Sequence, residues 1–278
     1  MHESISGKVV VITGGGRGLG RAMALGLAQA GAKVAITAAR EGAELKQTAA
    51  DCVAVGGQDC VMALQADVTN VEDCERVMRG AKEKWGHLHV VVNNAGRGMT
   101  YVDKNFVKER PPFWAIPTDT WGMMIDTNIN GVFNMAKAAV PHLLEEGWGR
   151  IVNVSTSLIT MQRRGYAPYG ASKWAVEGLT MIMAQDLEDT NVTVNALLPG
   201  GATDTAMIPG KVGDKSRAGA DGNLFEPVIM VPPIQYLASD LSNGKRGDRY
   251  VAKLWDQSLP PEDAASKVRF PIKRDRQY

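Results

Sequence analysis

Tyr169 and Lys173 lie four residues apart in the segment YGASK, with only small residues between them. If this segment is helical, the two side chains share one face, and the lysine ammonium lies beside the phenol. A positive charge in that place favours the ionised phenol and lowers its pKa from about 10. Such a tyrosine can give and take a proton as a general acid or base. Taken alone, the pair is more typical of an exposed helical contact without chemistry, so the rest of the chain must decide.

A glycine-rich turn near the N-terminus could hold a phosphate. The run VVVITGGGRGLG places Gly14, Gly18 and Gly20 between an apolar run typical of a buried strand and a helical pattern at 20–31. Glycines let the backbone approach a pyrophosphate, and the helix N-terminus supplies N–H groups and the positive end of its dipole. The spacing differs from the G-x-G-x-x-G of other dinucleotide sites, but the physics is the same. The flanking strand and helix make this loop a strong indication of a dinucleotide site.

The end of the second predicted strand bears on the choice of cofactor. An acidic residue there would bind the ribose 2′-hydroxyl of NAD. This strand instead runs into Ala39 and Arg40, and Arg17 lies inside the glycine loop. Two guanidinium groups would suit the 2′-phosphate of NADP, so NADP(H) is favoured. In the alternatives, Arg40 is a surface residue at a helix start, or Glu41 turns inward and NAD(H) remains possible.

The elements that must position these residues alternate along the chain. The β-rich runs are 8–13, 33–38, 60–67, 89–96, 149–156 and 191–201. The helical patterns between them are 20–31, 43–55, 71–85, 118–146 and 166–187. This alternation predicts parallel strands joined by right-handed crossovers. The fold class is therefore α/β, a doubly wound parallel sheet flanked by helices in a Rossmann-like three-layer sandwich, with ligands at the carboxyl ends of the strands.

Composition limits the classes of function. The chain has 278 residues, of which 45% are apolar and 22% charged, as in a globular protein with a sizeable core. A formal net charge of +1 offers no field for nucleic acid or an acidic membrane. No apolar run reaches the roughly 18 residues of a transmembrane helix. The 3 Cys without CxxC and the 4 His without HExxH predict reduced thiols and no metal site. We therefore expect a cytoplasmic protein that acts on a small molecule.

Four motifs, in their order along the chain, resemble the short-chain dehydrogenase/reductase family. They are TG-x3-G-L-G at 13–20, Asp67-Val68 after the third strand, NNAG at 93–96 and Tyr169-x3-Lys173. The resemblance covers roughly residues 7–205, and the fold would continue to about residue 252. It implies an oxidoreductase that moves hydride reversibly between NADP(H) and a ketone or secondary alcohol of medium size, without a metal. Under this resemblance the opening pair is part of an active site.

The resemblance implies a role for each of several polar residues. Tyr169 would be the general acid/base, and Lys173 would lower its pKa and hold the nicotinamide ribose hydroxyls. Asn128 would anchor a water and the lysine in a proton relay. Thr156 stands where the family usually has a serine, and its hydroxyl can still bond a substrate carbonyl. Strand alternation turns the neighbouring serines to the other face, but a local bend could present Ser157 instead.

The resemblance also implies the cofactor site. Asp67 would meet the adenine amine, and Asn94 and Gly96 would lie near the ribose. Ala202 would offer its backbone to the nicotinamide carboxamide, and Thr205 its hydroxyl to the cofactor. The full expected set is Gly14, Gly16, Arg17, Gly18, Leu19, Gly20, Arg40, Asp67, Val68, Asn94, Ala95, Gly96, Tyr169, Lys173, Pro199, Gly200, Ala202 and Thr205.

Two stretches break the alternation, and a tail follows. We predict a domain at 1–255, in which residues 97–117 form a substrate loop and residues 201–226 a lid. A C-terminal extension at 256–278 is predicted to be a solvated terminus with one short helix, and a binding arm is the alternative. Side chains expected to line an apolar pocket are Tyr101, Phe106, Phe113, Trp114, Met161, Tyr166 and Met207. The aromatic residues of the loop could equally serve a subunit interface.

The family also implies a homodimer or homotetramer packed through the helices at 118–146 and 166–187. The C-terminal sequence KRGDRYVAKLWD differs from the closing segment that many members share, so the usual tetramer contacts are not implied. Two other classes of function stay open beside the reductase. One is a non-redox reaction on the same scaffold, epimerisation or dehydration. The other is a non-catalytic cofactor-binding protein, which would have no need of Asn128, Tyr169 and Lys173.

Overall fold

The computed structural model describes residues 2–40, 42–219 and 222–272. Its strands are β1 (Val9–Thr13), β2 (Lys33–Ala38), β3 (Val61–Gln65), β4 (Val90–Asn93), β5 (Gly149–Val154), β6 (Val192–Leu198), β7 (Ala218–Gly219), β8 (Gly222–Asn223), β9 (Asp248–Val251) and β10 (Arg269–Pro271). Its α-helices are α1 (His2–Ile5), α2 (Gly18–Gln29), α3 (Ala43–Gly56), α4 (Val71–Trp85), α5 (Thr118–Ile125), α6 (Gly131–Glu145), α7 (Leu158–Met161), α8 (Ala167–Asp186), α9 (Val231–Leu237) and α10 (Pro261–Val268).

The central sheet confirms the predicted doubly wound α/β class. In the part of the chain that the structure describes, eight strands lie in the order β10-β9-β6-β5-β4-β1-β2-β3. Every neighbouring pair is parallel except β9 with β10. The chain winds outward from β1 to β3 and then crosses back to β4 beside β1. Ligand crevices form where the winding reverses, so the carboxyl ends of β1 and β4 mark the expected site.

The core lies on both faces of the sheet because side chains along a strand alternate. Val10 and Ile12 of β1 belong to the apolar layer under α2, α3 and α9. Val9 and Val11 of the same strand belong to the layer under α4 and α6. All five residues of β1 are buried, as expected for a parallel strand covered on both faces. No helix among the described residues is long and apolar enough to cross a bilayer.

The helix predicted at 118–146 contains a widened turn. Residues 126–130 form a π-helical turn between α5 and α6, and Asn128 lies fully buried within it. Such turns are rare and occur mostly as single-turn insertions at functional sites. The periodicity of apolar residues predicts the helix but carries no signal for this local change in its hydrogen bonding.

The C-terminal segment differs from the predicted solvated extension. Helix α10 buries Ala264, Ala265 and Val268, and Val268 belongs to the main apolar core. Strand β10 pairs antiparallel with β9 and extends the central sheet. The segment therefore covers an edge whose backbone groups would otherwise be unpaired. Residues 261–271 therefore pack with the rest of the described chain, while residues 273–278 lie outside the described part.

Candidate active site

A cavity of about 500 Å³ opens at the carboxyl ends of β1, β4 and β5. This size lies within the range of sites that hold cofactors and small molecules. One end, which we call the adenosine end, is lined by the glycine loop and by Ala39 and Arg40 after β2. The other end, which we call the reacting end, is lined by Thr156, Tyr169 and residues of the segment predicted to be a lid. The cavity thus joins the predicted cofactor site to the predicted reacting end.

The glycine loop is tied to the NNAG segment by hydrogen bonds. Asn94 Nδ2 donates to the carbonyl oxygens of Thr13 (2.9 Å) and Gly14 (3.1 Å). Thr13 Oγ1 accepts from the backbone N–H groups of Asn94 (3.0 Å) and Ala95 (2.9 Å). Gly14 and Gly18 have φ of 63° and 55°, which side-chain-bearing residues rarely adopt. A Cβ at Gly14 would also lie 3.0 Å from the Ala95 Cα, so this position requires glycine.

Gly20 shapes the loop without lining the cavity. A Cβ built on it would overlap the Gly14 carbonyl oxygen and lie 2.6 Å from Asn94 Nδ2. We therefore expect Gly20→Ala to distort the loop and to weaken binding of the expected dinucleotide by at least about tenfold, because misplaced backbone donors lose their charge-assisted bonds. Fluorescence titration with NADPH measures this effect.

The matched control for Gly20→Ala is Gly80→Ala within α4. A Cβ at Gly80 would have Met62 Cε as its nearest neighbour, at 3.7 Å, which is an ordinary contact. This control should bind NADPH as the wild type does and be more stable by up to about 1 kcal/mol, since alanine favours a helix over glycine. Equal NADPH affinity for Gly20→Ala and the wild type would contradict the role assigned to Gly20.

Positively and negatively charged side chains both line the adenosine end of the cavity. Arg17 and Arg40 line it, as the sequence predicted, and so do Asp67 and Val68. Glu44 also lines it and forms an exposed ion pair with Arg17, with 3.4 Å between Oε2 and Nη1. Glu44 was not among the predicted site residues, because nothing in the helical pattern shows which residue of α3 turns towards the loop. Glu41, the expected NAD alternative, lies outside the described residues.

Three side chains, Thr156, Tyr169 and Lys173, form a cluster that we call the tyrosine cluster. Thr156 and Tyr169 line the cavity together, and the Thr156 side chain acts to lower the pKa of Tyr169. Lys173 Nζ lies 5.8 Å from the centre of the Tyr169 ring and donates to the Val154 carbonyl oxygen at 2.8 Å. Helix α8 presents the tyrosine and the lysine on one face, as their spacing predicted, and both line the cavity.

The serines beside Thr156 do not enter the tyrosine cluster. Ser155 Oγ donates to Glu177 Oε1 at 2.7 Å. Ser157 caps helix α7, where its Oγ accepts the Thr160 N–H at 3.2 Å, and it does not line the cavity. The alternation expected from β5 thus extends two residues past its end, to Thr156, and Ser157, the fallback for Thr156, lies outside the cavity lining.

Burial dominates the electrostatics of the tyrosine cluster. It raises the pKa of Tyr169 to about 12, against the opposing effect of the Thr156 side chain. It lowers the pKa of Lys173 to about 8, against the opposing effect of Glu177. The lowered tyrosine pKa expected from the sequence is therefore not found, because desolvation of the phenolate is the largest effect on this group. Tyr169 is protonated at neutral pH and can donate to a carbonyl oxygen.

Asn128 organises backbone rather than lining the cavity. Its Oδ1 accepts the Arg97 N–H at 2.7 Å, and its Nδ2 donates to the Arg97 carbonyl oxygen at 3.0 Å and to Ser172 Oγ at 3.0 Å. A Cβ at Gly96 would lie 3.3 Å from Asn128 Oδ1 and 3.8 Å from Lys173 Nζ. The asparagine and the lysine thus flank Gly96, and the implied water relay stays a prediction.

A buried arginine holds the lid together. Arg217 pairs with Asp204 and donates to the carbonyl oxygens of Thr205, Ile208 and Pro209. Thr205 lines the cavity, and its side chain packs against Gly18 of the glycine loop. Pro199 and Ala202 also line the cavity, whereas Gly200 packs against Val251 at the end of β9 and against Lys253 just after it. Gly200 and Gly20 are thus the two expected cofactor contacts that lie outside the cavity lining.

The reacting end of the cavity has an apolar wall. Phe106 packs edge-on against Tyr166 with 5.7 Å between ring centres. Further apolar side chains of this wall are Met99, Tyr101, Val107, Met207 and Ile208. Phe113 and Trp114, which were expected here, are 71% and 76% exposed, and Met161 is buried away from the cavity. Loop residues reach the wall through tertiary folding, so their sequence carries no periodic signal.

Comparisons with known proteins agree with this geometry. The family model described as short chain dehydrogenase matches residues 8–215. A "Short-chain type dehydrogenase/reductase" from Picea abies is 33% identical over 244 residues, covering 85% of this chain and 87% of the relative. A 3-oxoacyl-[acyl-carrier-protein] reductase from Vibrio cholerae is 32% identical over 241 residues, covering 85% and 91%.

A solved structure gives the same result for the fold. The 3-ketoacyl-(acyl-carrier-protein) reductase from Brucella melitensis, complexed with NADH, superimposes with a TM-score of 0.75 at 27% identity. The match covers 88% of this chain and 96% of that chain. The motifs, the doubly wound sheet and these matches lead to one conclusion: the chain belongs to the short-chain dehydrogenase/reductase family and is a single-domain oxidoreductase.

Proposed function

We propose that the protein transfers hydride reversibly between NADP(H) and a ketone or secondary alcohol of medium size. Two hydroxyl-bearing side chains, Thr156 and Tyr169, line the far end of the cavity that begins at the glycine loop, and their position carries this proposal. A carbonyl oxygen beside the two hydroxyls would accept hydrogen bonds from both. Tyr169 would then deliver the proton as general acid.

The glycine loop fits the pyrophosphate of a dinucleotide. Its glycines leave no side chain between the backbone and the cavity, and α2 begins at Gly18. A bound nicotinamide supplies or accepts the hydride. The chain's own part is to hold the dinucleotide, to orient the carbonyl with Thr156 and to move the proton through Tyr169. Around the ribose we expect Lys173, Asn94 and Gly96, which all line the cavity.

NADP is the cofactor that the charges favour. Arg17 and Arg40 both line the adenosine end, and the Glu44 carboxylate beside them is paired with Arg17. Arg40→Gln should raise the KM for NADPH about tenfold or more, the effect of losing a charge-assisted bond, and change that for NADH far less. Steady-state kinetics with both cofactors measures the difference.

The matched control for Arg40→Gln is Arg79→Gln, which removes an exposed arginine of α4 away from the cavity. Its KM values should equal those of the wild type for both cofactors. A wild type that prefers NADH, or an Arg40→Gln variant that raises both KM values equally, would overturn the assignment and favour NAD(H).

The apolar wall supports a substrate of medium size and partly apolar character. Relatives named 3-oxoacyl-[acyl-carrier-protein] reductases make a 3-oxoacyl thioester one reasonable member of a test panel. NADPH consumption across ketones, oxo-esters, 3-oxoacyl thioesters and quinones tests the proposal. Conversion without net NADPH consumption would favour the epimerase or dehydratase alternative, and tight NADPH binding without conversion of any compound would favour a binding protein.

We further propose a homodimer or homotetramer in the cytoplasm. Helices α5, α6 and α8 expose Trp121, Phe133, Trp174 and Ile182 by 41% to 55%, which is typical of a covered subunit face. The free cysteines Cys52, Cys60 and Cys74 are consistent with a reducing compartment. Sedimentation velocity that found only a monomer would contradict the assembly.

A further inference from the structure

A buried carboxylate lies directly behind the tyrosine cluster. Glu177 follows Lys173 by one turn of α8 and is 2% exposed. Its Oε1 accepts the Ser155 hydroxyl at 2.7 Å and lies 3.2 Å from Arg249 Nη2. Neither Glu177 nor Arg249 lines the cavity, so neither can touch the substrate directly.

Arg249 reaches this carboxylate from a strand near the edge of the sheet. It lies on β9, is 8% exposed, and its Nη2 also donates to the Thr156 carbonyl oxygen at 3.2 Å. Lys173 meanwhile donates to the Val154 carbonyl oxygen. Three consecutive residues at the end of β5 are therefore fixed by hydrogen bonds: Val154 to Lys173, Ser155 to Glu177 and Thr156 to Arg249. The last of these residues is Thr156, which lines the cavity together with Tyr169 and acts on the pKa of that tyrosine.

The charges around Glu177 come from two elements. Lys173 faces it from its own helix and Arg249 from β9, while β5 offers the neutral Ser155 hydroxyl and β6 has no titratable side chain. Burial raises the pKa of Glu177, and Ser155, Arg249 and Lys173 oppose that effect. Glu177 in turn supports the protonated form of Lys173.

Buried ion pairs are expensive to desolvate, and apolar replacements are often as stable or more so. Stability therefore does not explain why two charges lie here, next to the groups proposed to react. We propose that Glu177 and Arg249 are a pair of positioning residues for the reductase reaction, an inference that rests on the proposed function. Glu177 keeps Lys173 protonated, and Arg249 balances Glu177 while fixing the backbone of Thr156 against Tyr169.

Removing the negative charge of Glu177 and removing the positive charge of Arg249 should shift the pKa of Lys173 in opposite directions. Glu177→Gln removes a negative charge and should lower the pKa of Lys173 by roughly one unit. Arg249→Gln removes a positive charge and should raise it, and the double variant should return it close to the wild-type value. Nuclear magnetic resonance of lysine-labelled protein reads this pKa directly, with the Lys173 signal assigned from its loss in Lys173→Arg. The control Asp186→Asn, at the exposed end of the same helix, should leave the pKa of Lys173 unchanged.

The pH dependence of the ketone-reduction rate should shift in the same directions as the pKa of Lys173. Reduction needs a protonated Tyr169 and a charged Lys173, so its rate falls as pH rises through the lysine pKa of about 8. The alkaline limb should move to lower pH in Glu177→Gln and to higher pH in Arg249→Gln. Arg249→Lys keeps the charge and should leave the lysine pKa unchanged, while kcat falls about tenfold or more because Thr156 is less well fixed.

A purely structural pair would behave differently. Glu177→Gln and Arg249→Gln would then lower the melting temperature without moving the Lys173 pKa in opposite directions, and that result would overturn the proposal. If Glu177→Gln does not fold, Glu177→Asp tests the same point. The shorter side chain moves the carboxylate away from Lys173, so the pKa of Lys173 should also fall. The resonance titration needs no substrate, so a lack of turnover would refute the proposed function while leaving this inference to be judged by the titration.

Discussion

Tyr169→Phe will fold and bind NADPH as the wild type does, while ketone reduction falls by about 10²–10⁴. The phenylalanine ring keeps the packing of the tyrosine but lacks the hydroxyl that lines the cavity with Thr156. The proton for the carbonyl oxygen then has no positioned donor. Initial rates of NADPH oxidation, with cofactor affinity from fluorescence titration, measure the two effects separately.

A matched control is Tyr250→Phe, which removes the hydroxyl of a tyrosine buried in the core outside the cavity. This control should keep a rate close to that of the wild type. Full activity of Tyr169→Phe, or an equal loss in both variants, would refute the role proposed for Tyr169.

Thr156→Ala should lower kcat by about 10²–10³, the usual cost of losing one donor to a developing oxyanion. The threonine lines the cavity beside Tyr169, and its hydroxyl is the second group that can bond the substrate oxygen. Thr156→Ser keeps this hydroxyl and should retain much of the activity. Steady-state kinetics at saturating NADPH measures all three enzymes.

Ser157→Ala is the control for Thr156→Ala. It removes the hydroxyl that caps α7 and should cost about 1 kcal/mol of stability with little change in kcat. A large loss of kcat in Ser157→Ala together with an active Thr156→Ala would show that the loop after β5 presents a different residue to the substrate.

Local patterns predicted the parts of the molecule that depend on neighbouring residues. The buried strands, the glycine loop and the shared helix face of Tyr169 and Lys173 all follow from short-range spacing. Strand alternation also indicated that Thr156, and not Ser155, would face the tyrosine, and the hydrogen bond of Ser155 to Glu177 agrees with it.

Features that depend on distant residues were not predicted. The raised pKa of Tyr169 results from burial, and its apolar neighbours Met99 and Phe106 come from a loop that no pattern around YGASK reveals. The pairing of Glu177 with Arg249 joins a helix to a strand far along the chain. The addition of β10 to the sheet likewise requires a tertiary partner, because a three-residue strand gives no clear alternation.

The central claim, hydride transfer to a carbonyl carbon, is tested most directly by following an isotope. NADPH carrying deuterium at the transferable C4 position is incubated with the enzyme and a ketone that the panel shows to be converted, and the alcohol is examined by mass spectrometry. The account predicts one deuterium on the carbinol carbon of the product. The Tyr169→Phe variant should transfer deuterium only at its low residual rate of ketone reduction. A converted product that carries no deuterium would contradict hydride transfer and favour a reaction without net redox change.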